Sequence, residues 1–128
     1  MTDIRLRLPA YVLIGFGLFS AATVIPALTP VLTLFLDLAF FPVDGAPGES
    51  DTAHRFLAGI LGGLCVGWGA SLLAIARGHS LRIAIIAGGI AWFVTDSTAS
   101  ALSGAPMNAV YNLGFLVVFL LPLTAREA

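Results

Sequence analysis

Ionisable and amide side chains are few in this sequence, and several fall near the ends of apolar stretches. His54 and Arg55 open one stretch, and Asp96 lies inside another. Asn108 and Asn112 are four residues apart, a spacing that puts both side chains on one face of a helix. Charged groups inside apolar helices are costly and normally pair or face the interior of a bundle. We therefore predict an ion pair between Arg55 and Asp96.

Serines next to Asp96 extend this set into one predicted polar cluster. Its members are His54, Arg55, Asp96, Ser97, Ser100, Asn108 and Asn112. Three interpretations are open: a structural cluster that ties helix ends together, a site for a small molecule or lipid headgroup, and part of a proton or ion path. A path needs polar groups across the whole thickness of a membrane, and the opposite halves of the stretches carry no matching acidic residue.

The types and spacing of the residues do not favour an enzyme or a metal-binding protein. His54 and His79 cannot share a haem iron, because 25 residues of helix separate them by about 37 Å. We see no grouping with the ligand spacing of a metal site and no Ser-His-Asp set. The single cysteine, Cys65, excludes a disulfide within the chain. We predict a protein that is not an enzyme, without catalytic or metal residues, and the pattern names no cofactor.

Composition indicates the solvent in which the chain folds. Its 128 residues are 59% hydrophobic and 10% charged, with a mean hydropathy of +1.00. Soluble domains average about 25% charged residues. Because this chain has too few polar side chains to cover the surface of a soluble fold, we expect it to be surrounded by lipid. The net charge of −1 provides no basic surface for nucleic acid. Soluble enzymes, nucleic-acid binders and disordered linkers are excluded.

Four stretches are long enough to cross a bilayer, which takes about 20 apolar residues. They cover residues 9–28, 53–76, 81–103 and 107–124. The first apolar run continues to residue 41, but Pro26 and Pro30 interrupt it. Thr29 followed by Pro30 suggests an N-cap, which predicts a short interfacial helix over residues 30–41. The expected fold is all-α, a single transmembrane domain built as a four-helix bundle.

Turn and capping residues predict the helix ends. Ser50 or Asp51 can cap the second span, and Ser80 can cap the third. Gly78 suits the left-handed position after a helix, and Pro106 suits the first turn of the fourth span. Because the last two connections are short, spans two, three and four should be antiparallel neighbours.

Arginine placement predicts the orientation in the membrane. Only Arg55 falls on one side of a four-span topology, and the other five fall on the opposite side: Arg5, Arg7, Arg77, Arg82 and Arg126. The positive-inside rule then places both termini in the cytoplasm. The alternative for the start is a cleaved signal peptide, suggested by Arg5, Arg7 and the small residues 20–22. We expect this segment to be retained as the first span.

Glycines repeat every four residues along the second span. Gly59, Gly63 and Gly67 therefore share one face, which lets another backbone approach closely. One interpretation is tight packing within a single bundle. The other is a groove that admits a lipid or a helix of a partner.

Several short segments carry a resemblance to a known group of proteins. They are residues 55–59, the Gly62-Gly63 pair, residues 67–69, the Ala91-Trp92-Phe93 segment with Asp96-Ser97, and the two asparagines Asn108 and Asn112. Over about residues 50–124 the chain resembles small four-helix proteins of the bacterial inner membrane, loosely DoxX-like and of unknown function. This resemblance implies a four-helix fold in the bacterial cytoplasmic membrane and assigns no activity.

These observations favour a non-enzymatic integral membrane protein that acts as an accessory or scaffolding subunit of a larger complex. Its expected partners are membrane lipids and other membrane subunits. The alternative is a carrier or channel for a small solute, or a lipid-binding protein, that uses the polar cluster near the extracytoplasmic face.

Overall fold

The computed structural model describes residues 3–39, 42–45 and 51–124, and this part of the chain is helical without strands. The helices are α1 (Arg7–Ala22), α2 (Thr29–Ala39), α3 (Thr52–Ala76), α4 (Leu81–Leu102) and α5 (Pro106–Thr124). Short 3-10 turns at Ile4–Leu6 and Pro26–Leu28 precede α1 and α2. With its preceding turn, α1 joins α3, α4 and α5 as helices long and apolar enough to cross a membrane. The all-helical class is confirmed, and the four helices indicate a multi-pass membrane protein.

The long helices pack in a row. α1 lies against α3, α3 against α4, and α4 against α5, while α1 touches α4 over a short stretch only. Successive members of the row are antiparallel, because contacts that advance along one helix run backward along its neighbour. Gly62 and Gly69 of α3 lie against Gly17 and Ala10 of α1, and Gly59 and Gly67 lie against Ala99 and Trp92 of α4. Asn108 and Asn112 of α5 bond to Ser100 and Ser97 of α4. α1 and α5 are thus the edge helices of the row, and α3 and α4 are its centre.

Small residues fill the interior and large apolar ones cover the exterior. The buried apolar side chains are mostly alanines: Ala10, Ala74, Ala76, Ala84 and Ala99. Bulky side chains such as Trp68, Val94 and Val118 are more than half exposed. Soluble proteins bury most of their large apolar side chains, so this exterior suits lipid better than water.

Glycines of α3 set the distances within the row. A Cβ added to Gly63 would lie 2.5 Å from Asp96 Cβ, and one added to Gly67 would lie 2.7 Å from Trp92 Cβ. Gly59 is similarly close to Ala99, at 2.9 Å. The predicted glycine face therefore lies against α4. A second face of α3 carries Gly62. A Cβ added to Gly62 would lie 2.5 Å from the carbonyl oxygen of Gly17 on α1.

The first helix ends earlier than predicted, at Ala22 rather than near Leu28. Ile25 is extended, with ψ of 122°, because the residue before a proline is disfavoured in the helical region. The helix therefore stops before Pro26, and the Thr23 hydroxyl donates to the Ser20 carbonyl oxygen at 2.6 Å. The apolar segment still reaches 19 residues, because it begins at Ile4.

The predicted N-cap at Thr29 is also wrong. Thr29 is itself helical, with φ −51° and ψ −43°, and its hydroxyl donates to the Pro26 carbonyl oxygen at 2.7 Å. The 3-10 turn that ends at Leu28 supplies the turn before α2, so no extended capping residue is needed. α2 is described to Ala39, and residues 40–41 of the predicted helix lie outside the described part.

The predicted ends of the later helices are confirmed. Asp51 caps α3 by accepting from the His54 backbone N–H at 2.9 Å, and Ser80 caps α4. Gly78 has φ +84°, and the His79 N–H donates to the Ala74 carbonyl oxygen, a Schellman ending. The other proposed cap, residue 50, lies outside the described residues.

We expect Gly63→Leu to disrupt the contact between α3 and α4. The new side chain would meet the backbone of Asp96, whose Cα lies 3.0 Å from the position of the added Cβ. Overpacking of this kind typically costs about 1–3 kcal/mol, so the thermal unfolding temperature in detergent should fall.

Gly114→Leu is the matched control, because a Cβ at Gly114 has nothing within 4 Å. It should not lower the unfolding temperature of the purified chain. Equal unfolding temperatures for wild type and Gly63→Leu would contradict the close approach of α3 and α4.

Candidate functional site

The candidate site centres on a buried carboxylate in the middle helix pair. Asp96 is 2% exposed and lies on the face of α4 that meets α3. Its Oδ2 accepts from Trp92 Nε1 at 3.1 Å, and its Oδ1 accepts from Ser100 Oγ at 3.0 Å. Asn108 Nδ2 of α5 donates to the same Oδ1 at 3.0 Å. We name Trp92, Asp96, Ser100 and Asn108 the Asp96 network.

The asparagines of α5 join this helix to α4. Asn108 Nδ2 also donates to Ser100 Oγ at 2.8 Å, and Ser100 is fully buried. One turn further along α5, Asn112 Nδ2 donates to Ser97 Oγ at 3.3 Å. Because both amides lie on one face of α5, the helix is held to α4 by side-chain hydrogen bonds at two successive levels.

The predicted Arg55–Asp96 ion pair is wrong. Arg55 Nη2 instead donates to Thr29 Oγ1 of α2 at 3.1 Å. The residue of α3 that faces Asp96 is Gly63, eight positions after Arg55, which separates the two levels by about 12 Å along the helix. An ion-pair contact joins Asp51 and His54 instead, with Asp51 Oδ1 2.8 Å from His54 Nδ1.

The predicted cluster is therefore divided into three groups. His54 belongs to the exposed cap of α3, where its backbone and side-chain hydrogen bonds hold the pKa of Asp51 below the usual value. Arg55 belongs to the contact between α3 and α2. The other five predicted residues lie together between α4 and α5: Asp96, Ser97, Ser100, Asn108 and Asn112.

Two members of these groups were missed by sequence reasoning. Trp92 is not among the predicted cluster residues, although its position four residues before Asp96 puts both on one helix face. That spacing is a signal that could have identified it as a donor. Thr29 gave no such signal, because its contact with Arg55 depends on how α2 folds back toward α3.

Asp96 carries the features of a structural network rather than of a reacting group. Both carboxylate oxygens accept hydrogen bonds from the chain itself, three in total. The glycine at position 63 brings the α3 backbone directly against the residue and closes that side. Within residues 3–39, 42–45 and 51–124, no three His, Cys, Asp or Glu side chains are grouped as metal ligands would be.

Comparisons with known proteins identify no relative. No protein family, curated protein or solved structure matches this chain. The resemblance to DoxX-like proteins stays a prediction, and the function must be inferred from the residues themselves.

We expect Asn108→Ala to weaken the attachment of α5. The change removes two hydrogen bonds and leaves Asp96 Oδ1 with Ser100 as its remaining donor. Loss of a partner from a buried polar group costs about 1–3 kcal/mol, so the unfolding temperature in detergent should fall. In a Trp68→Phe background, Trp92 is the remaining tryptophan, and a shift in its fluorescence emission wavelength would report the change within the Asp96 network.

Asn112→Ala is the matched control on the same face of α5. It removes one longer hydrogen bond, of 3.3 Å, and leaves the Asp96 network intact. Its effect on stability should be smaller, and Trp92 emission should not move. A loss from Asn112→Ala as large as that from Asn108→Ala would contradict the leading role of the Asp96 network.

Proposed function

We propose that this chain is a non-enzymatic protein of the bacterial cytoplasmic membrane that serves as an accessory or scaffolding subunit of a larger membrane complex. The observation that carries this proposal is the openness of the edge helices. Only 6% of the apolar window of α5 is buried, against 33% for α3. A row of helices with two free edges can be completed by helices of another subunit.

Open glycines on the edge helices support this proposal. A Cβ added to Gly15 on α1 or to Gly114 on α5 would have nothing within 4 Å, whereas one added to Gly59 or Gly63 of α3 would clash. Glycine in a helix costs about 0.8–1 kcal/mol relative to alanine. In membranes, small residues on a helix surface favour the close approach of a second helix. Both edges therefore suit contact with a partner.

The Asp96 network supports a non-enzymatic role. The Asp96 carboxylate accepts hydrogen bonds from Trp92 of its own helix and from Asn108 of α5, and Asp96 is 2% exposed. A catalytic acid or base must reach the proton that it transfers, and Asp96 is closed off by the α3 backbone at Gly63. The geometry therefore favours stabilisation of the helix row.

A second candidate is a carrier or binding protein for a small solute, and one observation favours it. Arg55 Nε is buried without a hydrogen-bond partner in the described part of the chain. Nearby, His54 borders a small pocket of about 150 Å³ between α1, α2 and α3. Uptake into liposomes that is lost in Arg55→Gln would support this candidate, and the absence of any uptake by wild type would exclude it.

The subunit proposal predicts an assembly that depends on the edge helices. Extracted from native membranes in a mild detergent, the chain should migrate on native gels in a complex heavier than a monomer. Gly114→Leu and Gly15→Leu should reduce the mass of this complex, because each puts a bulky side chain on an open edge. The unfolding temperature of the purified variants should not fall below that of wild type, because neither side chain meets a clash.

Leu57→Ala provides a matched control, since Leu57 is exposed on the central helix α3. It should leave the mass of the complex unchanged. Wild type that is monomeric after mild extraction, or a complex unaffected by both glycine substitutions, would contradict the proposed role.

We also propose that both termini are cytoplasmic. Arg5, Arg7, Arg77 and Arg82 belong to one end of the row, because α1 and α4 both begin where α3 ends. Arg126, which the sequence assigns to the same side, lies outside the described residues. The positive-inside rule supports a cytoplasmic location for this end.

Cysteine labelling tests this orientation in a Cys65→Ala background. A cysteine at Val43, which is 49% exposed in the connection after α2, should react with a membrane-impermeant maleimide added to intact cells. A cysteine at His79, in the exposed turn between α3 and α4, should react only after the membrane is opened. The reverse pattern would contradict the orientation.

A further inference from the structure

An apolar groove runs along one side of the row. It has a volume of about 460 Å³ and lies between α3, α4 and α5, because α5 packs on α4 and leaves part of α3 open. Aromatic side chains form its walls: Trp68, Trp92, Phe115 and Phe119. The glycines at positions 67, 88 and 89 form its floor.

Two of the three polar side-chain groups of this groove are already hydrogen-bonded. Ser71 Oγ donates to the Ala84 carbonyl oxygen at 2.9 Å, and Trp92 Nε1 donates to Asp96. The indole N–H of Trp68 has no partner among the described residues, so a ligand in the groove finds one free donor and otherwise hydrocarbon and aromatic surface. Such a lining suits an alkyl chain.

The dimensions favour an alkyl chain over a helix. Leu64 and Ser71 line the groove seven residues apart, which gives a length of about 10 Å. A helix with its side chains is about 10–12 Å across and would cover this short groove from outside, whereas a single alkyl chain can lie within it.

Positive charge lies at one end of the groove. Arg82 is three residues before Ile85 and seven before Gly89, so it continues the face of α4 that lines the groove. Side chains on a helix point toward its N-terminus, which directs Arg82 beyond the groove to the end of the row. Arg77 lies in the adjoining turn, and the side chains of both exposed arginines make no hydrogen bond or ion pair with the described residues.

We infer that this groove binds one acyl chain of an anionic phospholipid, with the lipid phosphate held by Arg82 and supported by Arg77. The positive end of the helix dipole at the start of α4 favours the same anion. The inference rests on the proposed membrane location, with the arginine end at the cytoplasmic leaflet, where anionic lipids are concentrated. It does not depend on a partner subunit.

Intrinsic fluorescence provides a direct probe of the groove. The chain has two tryptophans, and Trp68 and Trp92 both line it. The purified protein is placed in nanodiscs of phosphatidylcholine that contain a small fraction of phosphatidylglycerol brominated on its acyl chains. The matched sample contains the same fraction of brominated phosphatidylcholine. Bromine quenches tryptophan on contact, so excess quenching by the anionic lipid measures selective occupancy.

We expect phosphatidylglycerol to quench more strongly than phosphatidylcholine. Arg82→Gln should lower this preference about fivefold, the expected effect of one arginine at an anionic surface. Arg5→Gln, which removes an exposed arginine near the start of α1, should leave the preference unchanged. Gly89→Leu should reduce quenching by both lipids, because it fills space in which a Cβ meets only Leu116, at 3.6 Å.

Three results would overturn the inference. Equal quenching by the two lipids would show that the headgroup is not selected. Equal losses of the phosphatidylglycerol preference in Arg82→Gln and Arg5→Gln would show that the preference arises from the overall positive charge at this end of the row and not from Arg82. No quenching by either lipid would show that no acyl chain enters the groove. None of these results bears on the mass of the native complex, which tests the subunit proposal separately.

Discussion

The close approach of α3 to its neighbours is the constraint on which the rest of the structure depends. Two glycine faces of this helix let α1 and α4 come so near that an added Cβ would clash with their backbones. In lipid there is little hydrophobic force between helices, so van der Waals packing and interhelical hydrogen bonds hold them together. α3 thus determines which residues of α4 face the interior and leaves the outer surface to bulky apolar side chains.

The buried carboxylate of α4 follows from that constraint. Gly63 fixes Asp96 against α3, and the remaining directions around Asp96 are taken by donors from α4 and α5. An unpaired polar group in a low-dielectric interior is costly, so α5 must align its asparagines with α4 to complete the set. Helix packing at the centre of the row and hydrogen bonding at its edge are therefore two parts of one arrangement.

Much of the architecture could be predicted from the sequence, whereas the pairing of polar groups could not. Apolar run lengths and capping residues such as Asp51 and Gly78 give the helices, since these signals are local. The prediction of an ion pair between Arg55 and Asp96 was wrong because it required knowledge of the register between α3 and α4. That register depends on which glycine faces which residue, and three candidate glycines share the same face. The early end of α1 arises from the conformation of Ile25 before a proline.

The order of the helices in the row has a consequence for biosynthesis. α1 has its main contact with α3, so it must wait in the membrane until α2 and the following loop have been made. From α3 onward, each new helix adds beside the one made just before it, and the row grows in the order of translation. α5 is joined to α4 through asparagine side chains rather than through glycine-mediated backbone contact. The addition of α5 therefore stays reversible until its asparagines have found their hydrogen-bond partners on α4.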